Sequence, residues 1–360
     1  MLNNQTPFAA ERCWVRDING AEVWLVAVKA TFDIQKTGEL TIAEKQEEVN
    51  IAPKFRADPA VTSLEFETDL PHLKLATDVL VEGHAYSPNG KPVSSLTVRL
   101  KVANIDKSLN VTGDRIWYKS PIGVNVSDIK PFIKMPIIYE RAYGGAILDE
   151  EDEHKRGWEP KNPVGLGYAK FAPHLIDTPV PNIEDPNSLR ANFSHRSHPV
   201  GFGPIAGHWA PRVKLAGTYD KKWEESRQPL LPLDFNEKYY QVAPADQQVP
   251  GYLKGGEIVE LTNMSPGGLL RFKLPRISLS FNTQFSDGTK QDHRSTLHTL
   301  VIKPDAPKVT MVWHTHLPCH FKVLKLTSTT IRLKNRIMTK EKEEEISNDL
   351  NTTAGNEVHA

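Results

Sequence analysis

Through Ser94–Val102, apolar Leu96, Val98, Leu100 and Val102 alternate with polar neighbours. A period of two is the signature of a strand with one buried face. Glu22–Ile34 (EVWLVAVKATFDI) is rich in Val, aromatic residues and Thr and follows an Asn19-Gly20 turn signal, so it predicts a second strand. Val79–Tyr86, Val111–Trp117, Leu269–Leu274, Ile277–Phe281, Thr299–Ile302, Lys308–Trp313 and Val323–Leu333 carry similar runs. No helical pattern of useful length separates them, so a parallel βαβ rhythm is not expected. The pattern predicts a mainly β fold: sandwich-like antiparallel sheets, few short helices, and a long loop-rich, aromatic-rich centre.

The patterning divides the chain into a strand-rich part at 1–127, a loop-rich centre at 128–268 and a second strand-rich part at 269–336, with 1–336 able to form one compact unit. The centre carries Trp158, Trp209 and Trp223 with many Tyr and Phe, residues that disordered segments lack, so it is expected to be ordered. The tail 337–360 is charged, polar and almost free of large apolar groups, so it is expected to be mobile.

Within the centre, Gly203–Phe235 (GPIAGHWAPRVKLAGTYDKKWEESRQPLLPLDF) concentrates Trp, Tyr, Arg, Asp and Pro. Thr218 is a candidate N-cap for a helix over Tyr219–Arg227, which Pro229 ends. Spacing of four then aligns Tyr219, Trp223 and Arg227 on one face, with Pro229–Phe235 extended against the body. Two readings stay open. Trp209, Arg212, Tyr219, Trp223 and Arg227 brace the region internally, with Arg212 or Arg227 paired to Asp220 or Asp234, or they anchor a partner. If the rings fasten the centre to the β body, Trp223→Ala costs about 3 kcal/mol or more.

Charge narrows the partners. Lys plus Arg equals Asp plus Glu at 44 each, which lacks the basic footprint of nucleic-acid binding and gives no attraction to an anionic membrane. The N-terminal stretch has no basic region followed by an apolar one, so no secretory signal is expected and the location is expected to be cytoplasmic. Cys13 and Cys319 are expected to be unconnected thiols.

Candidate chemistry is sparse. Gly201-Phe202-Gly203-Pro204 lacks the third glycine of a phosphate loop, and its Pro has no N–H to offer. The acidic run Asp149–Glu153 lacks the alternating ligands of a calcium loop. His314-Thr315-His316-Leu317-Pro318-Cys319-His320 places two His on one strand face, which zinc accepts, but it has no second cluster at ligand spacing; His195 and His198 are the nearest candidates. The expectation is therefore no catalytic residues, no metal, no cofactor and no enzyme activity.

Three blocks carry a resemblance: KATFDI with TDVLVEGHAYSPNGKPV and GDRIW; YERAYGG with NPVGLGY; and Gly203–Phe235 continuing through APADQQ and YLKGGE. Over roughly Pro7 to Pro304 the chain resembles bacterial domain-of-unknown-function family 2169, whose members are associated with type VI secretion clusters. The resemblance implies an adaptor or chaperone that binds an effector or PAAR-repeat tip protein and helps load it onto the VgrG spike. It supplies no catalytic residues. Two other classes remain open: a structural spike or tip component, and a polysaccharide hydrolase built on a carboxylate pair.

Overall fold

The computed structural model describes residues 1–121, 123–148, 151–189, 197–320 and 322–334. Its principal strands are β1 (Leu2–Asn4), β2 (Ala9–Arg16), β3 (Glu22–Ile34), β4 (Leu40–Ile42), β5 (Ala76–Val81), β6 (Ser95–Val102), β7 (Ile105–Thr112) and β8 (Ile183–Glu184). They continue with β9 (Gln248–Pro250), β10 (Ile258–Thr262), β11 (Leu269–Lys273), β12 (Leu279–Phe285), β13 (Lys290–His293), β14 (Ser295–Lys303), β15 (Lys308–Pro318) and β16 (Leu326–Leu333). The only α-helices among the described residues are short, α1 (Ala210–Val213) and α2 (Lys221–Ser226). The fold is mainly β, as the pattern predicts.

A seven-stranded sheet runs β9-β5-β14-β15-β3-β2, with β4 paired to β3 beyond the end of β2. A five-stranded sheet runs β8-β7-β6-β10-β11, and a four-stranded sheet β1-β16-β12-β13. Pairing in these sheets is antiparallel except at β5–β14 and β1–β16. One continuous apolar core joins all three: Val26, Val28 and Phe32 of β3, Val98 and Leu100 of β6, and Phe281 and Ile331 of β12 and β16 belong to it. The sheets therefore share one sandwich-like core that draws on both ends of the chain.

Several elements differ from expectation. The run Val111–Trp117 is not one strand: β7 ends at Thr112, Gly113 and Asp114 interrupt, and a separate hairpin strand begins at Trp117. An added Cβ at Gly113 meets the Lys130 carbonyl at 2.0 Å, so that crossing requires glycine. The first residues of Val323–Leu333 form a 3₁₀ turn before β16 starts at Leu326. Within the loop-rich centre, β10 is an interior strand of the five-stranded sheet, hydrogen-bonded to β6 on one side and β11 on the other. Strand β2, which precedes the Asn19-Gly20 turn, was not expected. The tail 337–360 lies outside the described residues.

The paired motifs YERAYGG and NPVGLGY meet in space. Tyr143-Gly144 runs parallel to Leu166-Gly167, and the fully buried Asn162 donates to the carbonyls of Tyr139 (2.8 Å) and Tyr143 (3.0 Å). Gly144 has φ +150°, and a Cβ there would lie 2.1 Å from the Asn162 carbonyl oxygen. These motif residues hold the backbone crossing closed.

Candidate partner-binding surface

The second face of the seven-stranded sheet, turned away from the main core, mixes apolar side chains such as Leu25 and Val312 with polar ones that are nevertheless buried. It carries Lys29, Asp78, His298, Thr299 and His314, each 7% exposed or less. Residues 46–75 and 239–253 cover it and supply its partners. Lys74 Nζ donates to Asp78 (2.7 Å) and to the Thr299 hydroxyl (2.9 Å). Asp78 also accepts from the Gln241 side chain (2.8 Å) and from the Val242 N–H (2.9 Å). Lys29 pairs with Asp69 at 3.2 Å, and Asp69 accepts from the Asn50 N–H at 2.8 Å. Burial raises the Asp69 carboxyl above its ordinary range, with the Lys29 ammonium opposing that. Ionic groups this fully engaged weld the covering loops to the sheet.

The histidines occupy the same layer. His314 stacks on His298 with ring centroids 4.6 Å apart, and His316 meets His72 edge-on with their Nε2 atoms 3.4 Å apart. His314 and His316 share a strand face, as their spacing predicts. Burial, and then the neighbouring His316, depress the His314 pKa to about 3, and burial also lowers His298, His72 and His316. Cys319 is a buried free thiol, Cys13 is also free, and His320 is exposed. His195 lies outside the described residues. Among those described, no three His, Cys, Asp or Glu side chains come together to hold a metal ion.

Asp149 and Glu150 of the acidic run also lie outside the described residues. The rest of that run is engaged: Asp152 accepts from the His154 N–H at 3.0 Å, and Glu153 pairs with Arg156 at 3.3 Å. Gly201 lies against the Tyr139 ring, where an added Cβ would come within 2.9 Å, and Phe202 is fully buried in the core. That glycine stretch is packing.

The Gly203–Phe235 region divides between core and surface. Trp209 is 0% exposed, with Tyr139 edge-on at 5.3 Å and Leu64 and Ala206 around it. Arg212 is 5% exposed and pairs with Glu67 at 2.8 Å, not with Asp220 or Asp234. Its guanidinium also donates to the carbonyls of Tyr239 (3.0 Å) and Ile205 (2.8 Å), and it lies 4.9 Å from the Tyr239 ring centre. As folded, Trp209 and Arg212 serve the interior.

The helix is shorter than its spacing suggested. Asp220, not Thr218, caps α2 by accepting from the Trp223 N–H at 2.9 Å, and the Thr218 hydroxyl donates to Asp234 at 2.7 Å. Tyr219, 54% exposed, meets Trp223 edge-on at 4.7 Å. The half-buried Trp223 donates to the Leu230 carbonyl at 2.8 Å. Arg227 donates to the carbonyls of Leu231 and Ile18, tying the loop to the β2–β3 turn. Leu233 is 77% exposed, so only part of Pro229–Phe235 presses on the body.

Between that loop and β2 lies an open hollow of about 540 Å³, lined by Trp14, Arg16, Asp17, Pro229, Leu230, Leu231 and Tyr240. A second hollow of about 250 Å³ adjoins it across Trp14, with Arg12, Trp24, Val323, Leu324 and Leu326 on its walls. Trp14 is the ridge between them and is 47% exposed. A further open hollow of about 480 Å³ is lined by Asp114, Arg115, Lys130, Glu140 and Arg141, and all of these but Lys130 are engaged internally. Arg141 bonds Asp114, Arg115 bonds Glu184, and Glu140 accepts from Ser63. The arrangement around Trp14 suits gripping: apolar and aromatic walls, cationic rims and an exposed ridge.

The family described as uncharacterized protein conserved in bacteria, domain of unknown function 2169, matches residues 19–314. The chain belongs to this family. No curated protein and no solved structure matches it. No helix among the described residues is long and apolar enough to cross a membrane. The matched span includes Tyr219, Trp223 and the Leu230-Leu231 wall, while Trp14 and the rest of β2 precede it.

Proposed function

We propose that this member of family 2169 is a cytoplasmic adaptor of a type VI secretion system. It holds an effector or a PAAR-bearing tip protein and delivers it to the VgrG spike. The observation that carries the reading is the pair of open hollows meeting at Trp14, beside the Tyr219–Trp223 aromatic pair. The ionic groups with the most chemical potential, Lys74, Asp78, Lys29 and Asp69, are committed to holding the loop layer in place. The activity is binding, and the sequence resemblance supplies the secretion context. An adaptor must hold its cargo and release it, which fits an interface of standard size with a few aromatic and Arg anchors.

Deletion of the gene lowers secretion of one effector encoded beside it, while other effectors still leave the cell. The protein co-purifies with that effector and stays out of the secreted fraction. Loss of all secretion, or export of the protein itself in quantity, replaces the adaptor with a structural spike component.

A further inference from the structure

The edges of the three sheets are unequal. At one end of the five-stranded sheet β8 has two residues, and at the other β11 carries Arg271 and Lys273. The Arg271 carbonyl is also closely approached by Gly38, where an added Cβ would lie 2.4 Å from its oxygen. The four-stranded sheet ends in the three-residue β1 and in β13, whose sequence is KQDH. One end of the seven-stranded sheet is β9, three residues ending in Pro250. Short length, charge and proline are the devices that keep sheet edges from pairing with other chains. The eight-residue β2 is the longest of these end strands and has no Pro; its charges are Glu11, Arg12 and Arg16, and among the described residues its outer side pairs with no strand.

The backbone direction of β2 follows from its register. Asp17 N–H bonds the Ala21 carbonyl at 2.9 Å across the turn, in line with the Ala9↔Lys29 to Arg16↔Glu22 pairing. Inward and outward groups alternate in an antiparallel pair. Ala10, Arg12, Trp14 and Arg16 therefore turn their N–H and C=O groups outward. The Arg12 N–H shows it, since it donates to the neighbouring Glu11 carboxylate (2.8 Å). By the same period of two, the side chains of Arg12, Trp14 and Arg16 share one sheet face. Arg12 and Arg16 are both exposed, and neither guanidinium has an ion-pair partner among the described residues; Arg12 lies over the Trp24 ring at 5.3 Å.

We propose that β2 is a docking edge for an extended segment of a partner protein, which adds a strand to the seven-stranded sheet. The segment carries two acidic residues four apart, opposite Arg12 and Arg16, with an apolar residue between them opposite Trp14, where the two hollows meet. Main-chain bonds to the outward groups give affinity, and the hollows and cations give selectivity. The proposal rests on the adaptor reading for its biological partner, and its chemistry stands on β2 alone.

The test titrates the full chain with the peptide Thr-Glu-Val-Phe-Val-Glu-Thr, following heat of binding and amide hydrogen exchange. Exchange at Arg12 and Trp14 slows on binding, and the peptide with Lys in place of both Glu binds about tenfold more weakly or worse. Arg12→Pro removes an outward donor together with the guanidinium without touching the β2–β3 ladder, and lowers affinity by about tenfold or more beyond Arg12→Ala, which removes the guanidinium alone. Paired Arg12→Glu and Arg16→Glu changes reverse the preference between the two peptides without altering the backbone. Absence of binding, binding insensitive to charge, or binding unchanged in every variant overturns the edge assignment. The adaptor reading fails separately. If wild-type and Arg12→Pro chains capture the neighbouring effector equally, the edge falls and the adaptor stands; if that effector is secreted normally after gene deletion, the adaptor falls.

Discussion

Trp209 and Trp223 lie fourteen positions apart in one stretch of sequence, yet truncating Trp209 is expected to cost more. Trp209 is 0% exposed, with Leu64, Tyr139 and Ala206 packed around its ring. Trp209→Ala removes a whole aromatic and leaves a cavity that a backbone tied to neighbouring loops cannot close, which costs about 3–5 kcal/mol. Trp223 is half-buried in a surface loop, so part of the transfer energy of its ring is lost with it, without an enclosed cavity left behind. Its removal deletes the bond to the Leu230 carbonyl, about 1 kcal/mol, and the edge-on pair with Tyr219, about 0.5–1.5 kcal/mol. With the partial burial of the ring added, the cost of Trp223→Ala is about 2–3 kcal/mol, at or below the 3 that follows from treating it as a core residue. Urea unfolding of both variants beside the parent measures the difference. Trp209→Phe is a control: the Trp209 indole N–H has no acceptor among the described residues, so Phe loses no hydrogen bond and costs much less than Ala. Equal losses for the two alanine variants would refute the division of this region into a core anchor and a surface loop.

Two other predictions concern the interior. Folded His314 has its pKa depressed to about 3 from an ordinary 6.5, so the folded state disfavours the protonated form. Its contribution is complete above pH 6.5 and is lost as pH falls toward 3, at up to about 1.4 kcal/mol per pH unit for each such histidine. Urea midpoints measured from pH 7.5 to 5 should fall, and His314→Leu, which removes two buried ring nitrogens without partners, should flatten that decline. Gly144→Ala forces a Cβ against the Asn162 carbonyl in a backbone conformation that L residues avoid, a cost of about 2–5 kcal/mol. Thermal melting of Gly144→Ala beside Gly90→Ala, a positive-φ glycine with nothing within 4 Å, separates the clash from the conformational cost.

The strands were legible where apolar periodicity was strong: β3 spans Glu22–Ile34 as its composition indicates, and β6 begins one residue later than its alternation suggests. What the pattern could not convey is the fate of the other face. Alternation reports which residues are apolar, not whether the polar ones meet water. Lys29 and Thr31 in KATFDI look like a solvated face, yet each is 4% exposed or less, because residues far along the chain close over them. The partners that make this tolerable, Asp69 for Lys29 and Gln46 and Glu47 for Thr31, lie in segments with no periodic signal.

The same limit explains the candidate surface. The sequence leaves Arg212 open as an internal brace paired to Asp220 or Asp234 or as a partner anchor, and only the fold shows that its partner is Glu67, 145 positions away. Strand β2 had one sequence signal, the Asn19-Gly20 turn, which implies a strand on both sides. Its residues AAERCWVR set Glu11 beside Arg12 and Cys13-Trp14-Val15 in a row, so no period of two marks them as a strand. An edge made for another chain must have this character. Its apolar ridge, Trp14, stays incomplete until a partner covers it, and its cations stay unpaired until a partner supplies the carboxylates. A sequence therefore displays its own core through periodicity, while a surface that is finished by a second protein is written partly in that protein's sequence.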